Sequence, residues 1–161
     1  MSELSRLVSK VCLWVSGTGL CLMTIIIMWQ VFARYVLNAS PSWSEQLALY
    51  LMVWTVLLAA AAGVREGFHI RITVFQDSLT KTPRRMIIAL CHLITGAVGL
   101  FMVVTGIEIV GRTWGIDIPA LAVPRGSALL PIPMAGVLIT LFTIEHLVNM
   151  ARGKEVDALW S

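Results

Sequence analysis

The residues of this chain best equipped for chemistry are its three histidines, and their positions decide whether they can act together. His92 lies seven residues into an apolar stretch, His146 closes another, and His69 stands in the polar segment between two such stretches. Paired imidazoles on neighbouring membrane helices can hold a haem iron from its two sides. Counting 1.5 Å of rise per residue, His92 sits about 10 Å deep, whereas His146 and His69 fall nearer the interface. A matched axial pair is therefore poorly placed, and a hydrogen bond between helices is the commoner use of a single membrane histidine. Cysteine offers no clearer chemistry. Cys12, Cys21 and Cys91 all fall inside apolar stretches without C-x-x-C spacing, so they read as small buried hydrophobes.

The carboxylates tell a similar story. Glu45, Glu66, Glu108 and Glu145 each stand at the end of an apolar stretch, where an acid can reach water or serve a helix terminus. Inside the stretches there is no Asp, Glu, Lys or Arg. Ion-driven carriers keep ionisable groups at bilayer depth because charge movement needs them. Four-helix multidrug carriers resemble this chain in topology, but they carry a glutamate within the first helix. Here that helix reads VCLWVSGTGLCLMTIIIMWQVFA. The chain reads as a membrane part that holds something else.

The elements that position these residues are four charge-free runs at 11–33, 46–64, 86–107 and 126–144, the last continuing as helix to about 147. Each spans roughly 28 to 34 Å, against a hydrocarbon core of about 30 Å. With 58% hydrophobic and 13% charged residues among 161, the expected fold is an all-α integral membrane protein, one domain over 1–161 with four transmembrane helices. The pI near 9.0 comes from cations outside the runs, which speaks to membrane orientation and argues against nucleic acid as a partner. The first run is too long for a cleaved signal and ends without a small-x-small site, so it is expected to remain as an anchor. Nine of the cations (Arg6, Lys10, Arg65, Arg71, Lys81, Arg84, Arg85, Arg152, Lys154) fall in segments that share one side. Only Arg34, Arg112 and Arg125 fall on the other, so the positive-inside rule places both termini in the cytoplasm.

Finer features follow from local chemistry. Ser42-Trp43-Ser44-Glu45 fits a capping box with Ser42 as N-cap, and Thr82-Pro83 fits an N-cap with proline at the first helical position. Leu4, Leu7, Val8 and Val11 recur at helical spacing, which suggests an N-terminal segment lying along the inner surface before turning into the membrane. The segment from His69 to Leu79 fits either a short interfacial helix or a half-buried extended turn. Pro119 and Pro124 rule out one continuous helix through the third loop. Pro131 and Pro133 should kink the last span or delay its regular start. Trp14, Trp29, Trp43 and Trp114 stand at headgroup depths, but Trp54 lies near the midplane, where its N–H needs a partner. Ala59-x-x-x-Gly63 is a small-residue pair that would allow close helix approach.

Read in order, the residues at the span ends resemble those of a known family. Arg34-Tyr35 closes the first helix; Trp43-Ser44-Glu45, Tyr50 and Trp54 open the second; Gly63, Arg65, Gly67, His69 and Ile70 close it. Pro119-Ala120-Leu121, Pro124 and Leu130-Pro131 lead into the last. Over residues 10–150 this is similar to the small four-helix Q (DctQ-like) subunit of tripartite ATP-independent periplasmic (TRAP) transporters. The chain departs from that pattern at Gln46 and Thr73, where acids are usual, and at Arg125 and Pro133. The resemblance implies a bacterial inner-membrane scaffold subunit, not an enzyme, with no cofactor in this chain. It implies a large M subunit as partner, working as an elevator and holding the sodium sites, and a periplasmic binding protein that delivers an organic acid such as a sialic acid or C4-dicarboxylate. Arg34, Trp43, Glu45, Trp54, Arg65 and His69 are then candidate interface or scaffold residues, and Arg112, Asp117 and Arg125 a candidate periplasmic docking rim. Membrane lipids are the remaining expected partner. A haem-carrying anchor of a redox enzyme is the alternative.

Overall fold

A computed structural model of the chain describes residues 3–39, 41–66 and 81–151. Its elements are α1 (Glu3–Tyr35), α2 (Ser42–Arg65), α3 (Lys81–Thr113), β1 (Asp117–Ile118), β2 (Val123–Pro124), α4 (Arg125–Leu129) and α5 (Pro131–Ala151). Four helical stretches are long and apolar enough to cross a membrane, as expected: α1, α2, α3, and α4 with α5 taken together. The segment from His69 to Leu79 lies outside the described residues.

Helix boundaries depart from the sequence reading in three places. α1 is one unbroken helix of 33 residues, about 50 Å long. Its first turns therefore continue the span and do not turn to lie along the surface. No Gly or Pro interrupts residues 3–11, and contacts described below hold that end against the bundle. Ser42 is already helical, so the capping box does not form. Pro41 is the N-cap without a side-chain cap bond, and Ser44 Oγ instead donates to the Pro41 carbonyl at 2.8 Å. Lys81 is likewise helical, which moves Thr82 from N-cap into the first turn of α3.

The short connection after α1 turns through Asn38, at φ 52°, and is closed by the Ala39 N–H donating to Ala33 O at 3.0 Å. The third loop is a small antiparallel ribbon, Asp117 opposite Pro124 and Ile118 opposite Val123. Ala122 takes a left-handed φ of 51° at its turn, and the Arg125 N–H closes the ribbon on Ile116 O at 2.7 Å. The prolines act where expected. α4 ends at Leu129, and regular helix resumes only at Pro131.

These connections put the start of α1, the end of α2, the start of α3 and the end of α5 at one end of the molecule, called here the near end. α1 packs on α2, α2 on α5, and α5 on α3, which makes α2 and α5 the central pair and α1 and α3 the flanks. The core joins Ala61 and Val64 of α2 to Ala135, Ile139 and Phe142 of α5, with Cys12 of α1 against Leu58 and Ala62 beside it. Lipid tails are as apolar as leucine, so helix association in a bilayer rests on tight packing and hydrogen bonds more than on hydrophobic burial. A close approach of two backbones lies between α3 and α5, where Gly99 faces Gly136. Cys12 is buried, but Cys21 and Cys91 lie on outer helix surfaces, contrary to the reading of all three as buried.

Candidate functional site: a buried polar clasp

The near end holds a polar cluster that ties the other helices to α2 and α5. On α1, Ser5 and Ser9 are one turn apart and face the same way. Ser5 Oγ donates to Glu145 Oε1 of α5 at 3.2 Å, and Ser9 Oγ to Glu66 Oε1, just past α2, at 3.2 Å. The same Glu66 oxygen accepts from Arg65 Nη1 at 2.6 Å, in an ion pair whose side chains are only 3% and 0% exposed. His146 of α5 donates from Nε2 to the Arg65 carbonyl at 3.0 Å; since a carbonyl only accepts, this nitrogen carries the proton. The His146 ring lies nearly flat on that of His92 in α3, centroids 4.8 Å apart and planes 16° off parallel. The two serine hydroxyls, the His146–Arg65 hydrogen bond and the ring stack thus bind all four spans together.

Such a clasp is costly to build and costly to break. Two charges taken out of water lose several kcal/mol of hydration each, recovered only through close contact and further hydrogen bonds. Glu66 obtains both, at 2.6 Å from Arg65 and 3.2 Å from Ser9. The reading of Glu66 and Glu145 as acids reaching for water is therefore corrected: Glu66 is buried and Glu145 is part-buried against Ser5. Among the described residues, Arg65 Nε and Nη2 are buried without acceptors, and His92 Nδ1 and Thr143 Oγ1 are likewise unpaired.

The clasp also bears on haem. Axial ligation needs two imidazoles pointing end-on at one iron from opposite faces of a porphyrin. His92 and His146 stack face to face, and the Nε2 of His146 is engaged on Arg65. This arrangement does not fit an axial pair.

The remaining candidate residues divide by place. Arg65 is buried inside the clasp. Trp54, midway along α2, stacks on Tyr50 at 6.3 Å and packs against Cys12, Leu58 and Ala62. Its N–H is buried without an acceptor, so the partner that its depth calls for is not supplied within the described residues. Arg34, Trp43 and Glu45 are exposed at the far end, and no ion pair joins Arg34 to Glu45. Arg112 pairs with Glu108 one turn earlier at 2.6 Å, both exposed, and Asp117 and Arg125 are exposed at the ribbon. The far end therefore gathers six exposed candidates, and the near end one buried one. His69 lies outside the described residues. Sequence reasoning missed Ser5, Ser9, Glu66, Glu145 and His146 as one group. The available signal was the pair of serines one turn apart among Leu4, Leu7, Val8 and Val11.

Comparison with known proteins bears on the whole arrangement. A family model described as "Tripartite ATP-independent periplasmic transporters, DctQ component" matches residues 23–153. The chain is 24% identical over 128 residues to the sialic acid TRAP transporter small permease protein SiaQ of Vibrio cholerae, covering 79% of this chain and 73% of that one. It is 30% identical over 117 residues to the C4-dicarboxylate TRAP transporter small permease protein DctQ of Rhodobacter capsulatus, covering 71% of this chain and 51% of that one.

Proposed function

This chain belongs to the DctQ component family of tripartite ATP-independent periplasmic transporters, and on that footing we propose that it is a fixed brace, set in the inner membrane, for the large M subunit. The observation that carries this reading is the clasp. Four helices tied at one end by buried hydrogen bonds and a ring stack, and closed between α3 and α5 by a close backbone approach, suit a frame that stays still while another part slides. The four apolar runs hold no Asp, Glu, Lys or Arg, so sodium coupling belongs to the partner subunit. The near end faces the cytoplasm, as the basic asymmetry requires. The far end, with Arg112, Asp117 and Arg125, faces the periplasm and the binding protein. Arg34, Trp43 and Glu45 lie at the outer interface, open to the large subunit. The relatives are named for a sialic acid and for C4-dicarboxylates, which points to a carboxylate-bearing substrate here.

Reconstitution tests the division of labour. Proteoliposomes holding this chain alone should take up no sialic acid or C4-dicarboxylate, with or without a sodium gradient. Adding the large subunit and the binding protein should give sodium-dependent uptake of at least one of them. Flux through the isolated chain, or full uptake by the large subunit without this one, would overturn the brace.

Orientation has its own test. In a background with Cys12, Cys21 and Cys91 replaced, a cysteine at Asp117 should react with an impermeant maleimide added to intact cells. A cysteine at Asp77 should react only after permeabilisation. The reverse pattern would invert the assignment.

A further inference from the structure

Three side chains around the His92–His146 stack are buried with polar atoms that no described residue meets. Arg65 is 3% exposed with Nε and Nη2 unpaired, His92 4% with Nδ1 unpaired, and Thr143 2% with Oγ1 unpaired. They belong to α2, α3 and α5, and all three border His146. The Arg65 carbonyl accepts from His146 Nε2 at 3.0 Å, and the His92 ring lies on the His146 ring. Thr143 stands three residues before His146, on the same face of α5. It also faces α3, because a methyl group added at Gly96, one turn beyond His92, would lie 3.1 Å from Thr143 Cγ2. A helical threonine commonly spends its hydroxyl on the carbonyl four residues back. Thr95 and Thr105 of α3 and Thr140 of α5 do so, but Thr143 keeps its hydroxyl off the backbone.

We propose that these groups form a binding site for a resident buried water, which bridges His92 Nδ1, Thr143 Oγ1 and the Arg65 guanidinium. The hydrogen-bonding inventory selects the ligand. Arg65 offers two N–H donors there and can accept nothing. The threonine oxygen accepts, as does the bare nitrogen of a neutral imidazole. A water molecule accepts from the two donors and donates to the two acceptors, and buried waters characteristically serve otherwise unsatisfied groups of this kind. A cation is disfavoured by the Arg65 charge. An anion would leave a net negative charge in the interior, because Glu66 already balances Arg65 at 2.6 Å. The water joins α2 to α3 across α5, which packs between them. It also fixes the tautomer of His92, with the proton on Nε2. The site does not depend on the chain's bracing a larger subunit.

Thr143→Val keeps the shape of the side chain and removes its polar atom. Deleting an unsatisfied hydroxyl is neutral or stabilising, whereas deleting a partner of a bound water leaves the others short of a hydrogen bond. In thermal unfolding of the full detergent-solubilised chain the midpoint should therefore fall by about 2–4 °C. Crystals of the full chain that diffract well enough to show ordered waters provide the direct reading. A density peak should lie about 2.7–3.2 Å from both His92 Nδ1 and Thr143 Oγ1, and bromide soaks should give no anomalous signal there. Nitrogen-15 spectra of the histidine-labelled chain in lipid should show His92 protonated on Nε2 and bare at Nδ1. An unchanged or raised midpoint in Thr143→Val, or a proton on Nδ1, would overturn the proposal. So would a map with ordered waters elsewhere and none here, a bromide peak, or another side chain of the protein in that place.

Discussion

Replacing Arg65 by Met should lower the stability of this protein by about 3–5 kcal/mol, the range expected when one partner of a buried ion pair is removed. The variant strips the counter-charge from a Glu66 side chain with no solvent exposure. In thermal unfolding of the detergent-solubilised chain the midpoint should fall by roughly 10 °C. Glu66→Gln should be nearly as damaging, because it leaves the Arg65 guanidinium buried with its charge unmatched. The double variant Arg65→Met/Glu66→Leu should recover most of the loss, since replacing both charges by apolar groups of similar size is often neutral. Ser9→Ala should cost less, about 1.5–3 kcal/mol, as one hydrogen bond to a charged acceptor. An unchanged midpoint in Arg65→Met would mean that the pair is not buried in the folded protein.

The second large effect is expected at the α3–α5 contact. A methyl group added at Gly136 would lie 2.7 Å from the Gly99 carbonyl oxygen and 2.9 Å from the Val103 nitrogen. Both are backbone atoms, so relief requires the helices to part. Gly136→Ala gains about 1 kcal/mol in helix propensity but incurs an overpacking cost of about 1–3 kcal/mol, to which the parting of the neighbouring contacts adds. The net change should be destabilising. Gly111→Ala, in the last turn of α3, is the control: it too gains helix propensity, and the new methyl meets nothing within 4 Å. It should be neutral or stabilising in the same unfolding measurement. If the two variants move together, the close approach of α3 and α5 is not a feature of the folded chain.

These two features also mark the limit of what local sequence conveys. Prolines and apolar run lengths are read correctly because each depends on a residue and its place in the run alone. Pro131 and Pro133 break the start of the last span whatever packs beside it, since neither has an N–H to give. The serines of α1 are different. Ser5 and Ser9 would look the same on a helix facing water, and Glu66 would look the same reaching for headgroups. The capping box at Ser42 failed for a related reason. Its spacing was present, but the chain entered the helix one residue earlier, at Pro41, and Ser44 took the cap carbonyl instead.

What the sequence determined by itself is the membrane class, the number of spans and the family. Bilayer thickness sets the length of any helix that crosses it, and the ordered residues at the span ends carry the family likeness independently of how the helices pack. What only the tertiary structure decided is which helices are neighbours and what joins them. α1 meets α2, α2 meets α5 and α5 meets α3, and from that order come the Ser9–Glu66 hydrogen bond, the His92–His146 stack and the Gly99–Gly136 contact. The physical reason is that these contacts join residues far apart in the chain. A carboxylate at a span end is stable either hydrated or paired, and only the presence of Arg65 and Ser9 around it settles which.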